Sequence, residues 1–315
     1  MATYIITGAT GLIGGALVDY LRKDENNKLI LPVRNVLKAE EMFGKSAQIV
    51  YIEHDFSTSN QLNIDENIDY IVHAACPTAS KYMTECPVET IETIINGTRT
   101  MLQVAKKLKV KGMVFLSSME VYGIVPCDNG NIDESVQGYV PILSTRSSYP
   151  VAKRMAETLC HSYAKEYSVP VAIARLTQTF GPGVDISHDM RVFAQFAKCA
   201  CEGRDIVLKT EGRTKRMYLH TYDAVNAIIL LLTKGVWGEA YNVANQDTYC
   251  SIREMADFVR ARFCPSINVV IRKNDDNYYL PEMYLPLLTD KIENLGWRPR
   301  YGLSEMFSAI IEKNG

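Results

Sequence analysis

The stretch Thr7-Gly8-Ala9-Thr10-Gly11-Leu12-Ile13-Gly14 decides the fold. It follows a short apolar run, Tyr4-Ile5-Ile6, and leads into Gly14 to Leu21, where apolar residues recur at helical spacing. A strand, a glycine turn and a helix in that order form the entrance of a dinucleotide-binding unit. Gly8 permits the tight turn, Gly11 lets the backbone approach a pyrophosphate, and Gly14 lets the helix lie close to the strand. The helix start offers free N–H groups and the positive end of its dipole to the phosphates. Gly8, Thr10, Gly11, Leu12, Ile13 and Gly14 are thus the first candidate cofactor residues. A glycine-rich turn without a ligand is the plainer alternative, and the strand–turn–helix context weighs against it.

Moving outward, further apolar runs stand at Leu29-Ile30-Leu31, Ile49-Val50-Tyr51-Ile52, Tyr70-Ile71-Val72, Met113-Val114-Phe115-Leu116 and Val171-Ala172-Ile173-Ala174. Helical stretches near 84–109 and 150–167 separate the later runs. Short continuous apolar strands between helices predict a parallel sheet buried on both faces. The fold class is therefore α/β, a doubly wound parallel Rossmann sheet with a smaller interleaved C-terminal substrate lobe. Past residue 176 the alternation stops. Gly181-Pro182-Gly183 breaks the chain, a helix is expected near 190–202, and irregular segments rich in Arg, Tyr and Pro follow. Residues 218–234 read as a strand and helix returning to the large domain. The expected division is 1–176 with about 218–236 for the dinucleotide domain, and 177–217 with 237–315 for the lobe.

The 315 residues are 47% hydrophobic and 22% charged, which suits a chain with a sizeable buried core. A formal charge of -2 gives no basic excess, so no nucleic-acid partner is expected. No apolar stretch reaches the roughly 18 residues of a membrane span; Ala224 to Thr233 is too short and carries Asn226. The N-terminus lacks a basic segment and enters a strand at once, so no secretory signal is expected. Eight cysteines without framework spacing predict free thiols in a reducing, cytoplasmic setting. Cys199 and Cys201 have no second pair beside them, and no metal is expected.

Tyr149 and Lys153 are four apart, which places them on one helix face. An ammonium there would stabilise tyrosinate and lower the phenol's pKa toward the working range. Pro150 sets Tyr149 at or just before the helix start. Ser117-Ser118-Met119-Glu120 follows the fifth strand, at the strand ends where ligands bind in this architecture. Ser118 could share the hydrogen bond to a reacting oxygen. Glu120, the only carboxylate of this turn, could act as a base toward a C–H beside a ketone, or serve as a capping carboxylate. Arg34 ends the second strand, where an acid would instead bind a ribose 2′-hydroxyl. Its guanidinium suits a 2′-phosphate, so NADP(H) is favoured and NAD(H) is the alternative. Asp55 and Phe56 follow the third strand and are candidates for the adenine end.

Together these residues resemble the extended short-chain dehydrogenase/reductase family, in its NAD-dependent epimerase/dehydratase branch. His73-Ala74-Ala75 resembles the segment that lines the dinucleotide, which implies cofactor roles for Ala74 and Ala75, with Ser117 beside them. Arg175 through Gly181-Pro182 resembles RxxNxxGP, Gly212 to Asp223 resembles GxxxxRxxxxxxD, and Leu295-Gly296-Trp297-Arg298-Pro299 resembles LGWxP. Similarity to UDP-glucuronate decarboxylases runs through Tyr82-Met83, Gly97-Thr98, Ser118 to Gly123, Lys153-Arg154 and Arg191-Val192. The resemblance implies catalytic roles for Ser118, Glu120, Tyr149 and Lys153, and substrate contacts for Gln178, Arg191 and Arg216. It also implies a homodimer built on the helices near 84–109 and 150–167. Departures are Met119 where hexose 4,6-dehydratases often have Asp, Gln178 for the usual Asn, Ile94 for an Asn ahead of Gly97-Thr98, and Arg34 for the acid of NAD-using decarboxylases.

The reading is a nucleotide-sugar epimerase/dehydratase-type enzyme acting through a 4-keto sugar, with UDP-glucuronate decarboxylation as a subclass. An NADPH-dependent reductase of a keto-sugar nucleotide is the runner-up. A non-catalytic dinucleotide-binding sensor is a third reading.

Overall fold

The apolar runs of the first half become inner strands because helices cover both faces of their sheet. The structure, a computed structural model, describes residues 2–59, 61–126, 130–272 and 282–312. In chain order come β1 (Thr3–Thr7), α1 (Leu12–Leu21), β2 (Lys28–Val33), α2 (Val36–Phe43), β3 (Ile49–Glu53), β4 (Tyr70–His73), α3 (Ser80–Glu85) and α4 (Pro87–Leu108). Next are β5 (Gly112–Ser118), α5 (Ser148–Tyr167), β6 (Val171–Leu176), β7 (Gln178–Phe180), α6 (Val192–Glu202) and β8 (Ile206–Leu208). The remainder is β9 (Lys215–His220), α7 (Thr221–Lys234), β10 (Ala240–Val243), β11 (Asn245–Ser251), α8 (Ile252–Phe263), β12 (Val269–Ile271), β13 (Tyr284–Leu285), α9 (Asp290–Glu293) and α10 (Leu303–Ile311).

Seven strands pair in the order β10-β6-β5-β4-β1-β2-β3, and every neighbouring pair is parallel. The chain leaves β3 at one edge and returns as β4 on the far side of β1. The crevice of a doubly wound sheet opens at that reversal, beyond the C-terminal ends of β1 and β4. Alternate strand residues serve the two faces. Ile6, Leu31, Val72 and Val114 pack with Leu17 of α1 and Ile228 of α7, while Ile5, Ile30, Ile71 and Phe115 pack with Met101 of α4 and Ala156 of α5. Burial on both sides is why the runs read as continuous rather than alternating.

The second half is more regular than the sequence suggests. β9 is the middle of a small sheet, antiparallel to β11 and parallel to β7 and β13, and β8 pairs with β12. Strands of two or three residues carry too little periodicity to be read. Phe180, Phe193, Phe196, Tyr218, Met255 and Phe307 fill its core. Two expected boundaries shift. Of the segment 218–234 only α7 joins the large unit, because β9 finds its ladder partners in the small sheet. β10, expected in the lobe, extends the large sheet beside β6, where Tyr241 and Val243 are buried.

Asp223, at the start of α7, is fully buried and ties this junction. Its carboxylate accepts the backbone N–H groups of Arg300 and Tyr301, and its carbonyl accepts the indole N–H of Trp297. Two distant sequence signatures thus meet in one cluster. Among the described residues no helix is long and apolar enough to cross a membrane, and the seven described cysteines are free. Asp223→Ala removes a fully buried acceptor from two part-buried donors, and hydrogen bonds to a charged group are worth about 1.5–3 kcal/mol each; a urea titration should show a loss of about 2–4 kcal/mol, and a loss within 0.5 kcal/mol would contradict this role.

Candidate active site

At the dinucleotide end the glycines meet backbone, not side chains. A Cβ on Gly8, whose φ is +69°, would lie 2.7–2.8 Å from backbone atoms of Ala74 and Ala75. One on Gly14 would lie 2.2 Å from the Gly8 carbonyl oxygen. Both contacts are far inside van der Waals distance, so only glycine allows the turn, the helix and the β4 loop to converge. A Cβ on Gly11 would meet only the Gly8 oxygen at 3.3 Å; Gly11 is the N-cap of α1 and borders the cleft. Thr7 secures the same corner. Its hydroxyl oxygen accepts the N–H groups of Ala74 and Ala75 and lies 2.8 Å from His73 Nδ1. With its acceptor capacity used, the hydroxyl donates to Nδ1, so neutral His73 carries its proton on Nε2.

One cleft of about 810 Å³ joins this corner to the predicted reaction end. Thr10, Leu12, Ile13, Arg34, Asp55, Phe56, Ala74, Ala75 and Ser117 all border it, as do Ser118, Glu120, Tyr149 and Lys153. Gln178, Arg191 and Arg216 close it from the second unit. Its wall therefore fits a dinucleotide: a backbone-lined turn at a helix N-terminus, with cations at the β2 end. Asp55 is turned on itself, its Oδ1 accepting the Ser57 N–H and hydroxyl. Burial pushes the Asp55 carboxyl up, but those bonds and the Arg34 charge hold it below the usual carboxylate range.

Helix α5 supplies the reaction end. It starts at Ser148, so Tyr149 and Pro150 fall in its first turn, where the missing proline N–H has no helical partner to lose. One turn later Lys153 is buried and donates to the Leu116 carbonyl at 2.6 Å. Its ammonium is 5.8 Å from the Tyr149 ring centroid. The expected lowering of the phenol's pKa is not found. Burial pushes the Tyr149 hydroxyl well above the usual phenol range, Cys76 and Glu120 add to this, and Ser118 and Arg146 only oppose it. Desolvation of the anion wins here.

The same helix fixes the β5 turn. Arg154 donates to the carbonyls of Val121, Tyr122 and Gly138, and Glu157 accepts the Ser117 hydroxyl and the Arg175 guanidinium. Ser117 thus directs its hydroxyl to Glu157, and Arg175 serves this buried pair. The Ser118 hydroxyl accepts the Glu120 N–H and starts a short 3₁₀ turn, Met119–Tyr122. Met119 sets its sulfur 3.3 Å from the Thr177 hydroxyl, which donates its proton to the Met217 carbonyl, and it offers no acid to the cleft. Arg191 reaches the cleft with both Nε and Nη2 on its neighbour Asp189, so much of its charge is answered locally. Arg216 has a buried Nε without a partner among the described residues.

Sequence reasoning missed Arg146, Lys38 and Cys76, which also border the cleft. Arg146 Nη2 donates to both Glu120 oxygens, at 2.9 and 2.8 Å. Its position three residues before Tyr149 was the available signal.

A family model described as the NAD dependent epimerase/dehydratase family matches residues 4–244. The chain is 30% identical to UDP-glucuronic acid decarboxylase 5 of Arabidopsis thaliana over 309 residues, covering 96% of this chain and 86% of that protein. It is similar in structure to UDP-glucose 4-epimerase of Thermotoga maritima, solved with UDP-glucose (TM-score 0.82, 20% identity, 98% and 97% of the two chains). It is similar also to RMD of Pseudomonas aeruginosa, solved with NADPH (TM-score 0.77, 23% identity, 99% and 98%). At these identities the two structures establish the fold.

His73 gives the site a pH signature. Burial first, and then the Lys153 ammonium, push its pKa down to about 3. The unfolded chain takes up a proton near the ordinary histidine value of about 6.5 while the folded chain does not, so this stability is complete above that pH and is lost as pH falls toward 3. Between pH 6.5 and 5 the loss approaches about 1.4 kcal/mol per unit. Urea unfolding at pH 7.5 and 5.0 should show that His73→Gln loses this part of the slope; an unchanged slope would contradict it.

Proposed function

We propose, from the premise that this chain belongs to the NAD-dependent epimerase/dehydratase family, that it converts nucleotide sugars through a 4-keto intermediate. The observation that carries this reading is the single cleft with a backbone-lined glycine turn at one end and Ser118, Glu120, Tyr149 and Lys153 at the other. Gly8, Gly11 and Gly14 would hold the pyrophosphate, and Arg34 with Lys38 the adenosine end. The nicotinamide ring, when bound, supplies an acceptor for the hydride that leaves C4 of the sugar. Tyr149 takes the C4 hydroxyl proton on its phenolic oxygen, with Ser118 sharing that hydrogen bond. Because burial raises the phenol, the nearby cations Lys153 and Arg146 and the helix N-terminus have to favour its ionised form. In an epimerase- or dehydratase-type course Glu120 would serve as base toward the C–H acidified by the new ketone; in a decarboxylase-like course the C5–C6 bond breaks instead, CO2 leaves, and the resulting enolate takes a proton at C5 from water. Gln178, Arg191 and Arg216 hold the nucleotide diphosphate or sugar, from a UDP-, dTDP-, GDP- or CDP-sugar.

Within this reading we favour a UDP-glucuronate decarboxylase-like subclass. The 30% identity to such an enzyme across 96% of this chain supports it, and so does Met119, which cannot protonate a leaving hydroxyl. Arg34 and Lys38 motivate NADP(H) over NAD(H) and keep an NADPH-dependent keto-sugar reductase as the second reading. Free thiols favour a cytoplasmic setting.

A homodimer through α4 and α5 is also proposed. Val88, Ile91 and Ile95 lie along one face of α4, Val151, Met155 and Leu159 along one face of α5, and Val88, Ile91, Val151 and Met155 are exposed. Light scattering at micromolar concentration should give twice the chain mass, and Ile91→Arg with Met155→Glu should return it to one; a monomeric wild type contradicts this.

Loss of the general base should cost about 10²–10⁴ in rate. Tyr149→Phe should therefore abolish conversion of a nucleotide-sugar panel by about that factor while still binding NADPH more tightly than NADH. Unchanged turnover would overturn the catalytic assignment. Net consumption of free NADPH by the wild type would favour the reductase.

A further inference from the structure

A second cavity, of about 370 Å³, shares no lining residue with the cleft. The 3₁₀ turn Met119–Tyr122 serves both: Met119 and Glu120 border the cleft, and Val121 borders this cavity. The polar wall of the cavity includes Arg154, Glu157 and His161 of α5, Arg175 of β6 and Gln137. Charge is unevenly answered there. Arg175 meets both Glu157 oxygens, and the Ser117 hydroxyl takes one of them. Glu239, beside Gly238 of the same wall, pairs with Lys291 at 2.8 Å. Arg154 has no carboxylate partner among the described residues. Its Nε and Nη2 donate to the carbonyls of Val121, Tyr122 and Gly138, and its Nη1 has no partner among the described residues. Burial, and then the Arg175 charge, push its pKa down. An anion beside Nη1 would relieve that cost.

Further polar groups line the same cavity. The Gln137 side chain is exposed, and its amide has no partner among the described residues. His161 Nδ1 lies 2.9 Å from the Gly238 carbonyl oxygen, so Nδ1 carries the proton and donates. Nε2 of the neutral ring is then an acceptor. The wall thus offers donors for an anionic oxygen and an acceptor for an O–H. A hydrogen phosphate ion carries both, and so does a small phosphate monoester with a free hydroxyl; a plain carboxylate lacks the second. We propose that this cavity binds a phosphoryl group, held by Arg154 Nη1 and Gln137 with a ligand hydroxyl on His161, and that its occupant stiffens the turn that carries Glu120. Arg154 makes the link. The guanidinium that meets the anion also holds the Val121 and Tyr122 carbonyls, so fixing it fixes the segment from Ser118 to Gly123. Such a coupling is reciprocal: whatever orders that segment from the cleft side tightens the phosphoryl site by the same factor. The site stands whether or not the nucleotide-sugar reading does.

Calorimetric titrations with sodium phosphate and, separately, with glycerol 3-phosphate would be compared for wild type, Arg154→Gln, Gln137→Glu and Arg191→Gln. Gln137→Glu changes an exposed amide to an isosteric carboxylate, so it opposes the anion while leaving Arg154 and the turn in place. Arg191→Gln reports binding in the cleft instead. Wild type should bind at least one of the two ligands with a Kd of about 1 mM or below. Arg154→Gln and Gln137→Glu should each weaken that binding by about tenfold or more, and Arg191→Gln should leave it within about twofold. Tighter binding of the ester identifies an ester as the ligand, and equal affinities identify the free ion. No heat up to about 20 mM ligand, binding untouched by Arg154→Gln and Gln137→Glu, or binding lost in Arg191→Gln overturns the site. Amide hydrogen exchange tests the coupling. Phosphate should slow exchange across residues 118–123 by about threefold or more in the wild type and not in Gln137→Glu; binding without that slowing overturns the link to the turn.

Discussion

The close approach of three backbone segments at Gly8, Gly14 and Ala74-Ala75 constrains the rest of the molecule. Neither glycine could carry a Cβ without moving main chain, since the added atom would stand 2.2–2.8 Å from backbone atoms of another segment. That contact fixes the start of α1 against the ends of β1 and β4, at the point where the strand order reverses. Thr7 reinforces it by holding the Ala74 and Ala75 N–H groups on one hydroxyl. The crevice exists because these segments are locked together on one side of it and diverge beyond.

Helix α5 transmits this order to the reaction end. One side of it turns Tyr149 and Lys153 to the cleft, and a neighbouring side places Arg154 and Glu157 against the turn that follows β5. Ser118 and Glu120 are thereby positioned by the helix that carries the phenol. The electrostatic cost is visible. Lys153 is buried with a carbonyl as its hydrogen-bond partner, and Tyr149 is held high by burial. Low dielectric makes any charge brought near these groups count heavily, which is a useful property where a proton must move.

The second unit is attached through buried polar links and through an apolar cluster in which Met119, Val121 and Tyr122 pack with Met217, Leu285 and Leu287. Asp223 gathers Trp297, Arg300 and Tyr301 around the start of α7, so the C-terminal segment is pinned to the helix that packs on α1. Arg216 and Gln178 reach the cleft because β9 and β7 lie side by side in the small sheet. The cleft is thus shared, with cofactor features on one wall and candidate substrate contacts on the other.

The glycine turn, the parallel sheet and the helices α4, α5 and α6 were legible in the chain, because each rests on a local pattern of apolar spacing or glycine placement. The meeting of Ser118, Glu120, Tyr149 and Lys153 in one cleft was also legible, since strand ends and a four-residue helical interval dictate it. The small sheet was not: β7 and β13 have three and two residues, too few to show a period, and β9 and β11, though longer, pair across an irregular register with partners far along the chain. β10 was misassigned for the same reason: Tyr241 and Val243 become core only beside β6. The raised Tyr149 hydroxyl, the Asp189 clamp on Arg191 and the Arg146–Glu120 pair were likewise decided in three dimensions. Burial and charge pairing depend on which groups share a volume of low dielectric, and no local pattern in a sequence records that.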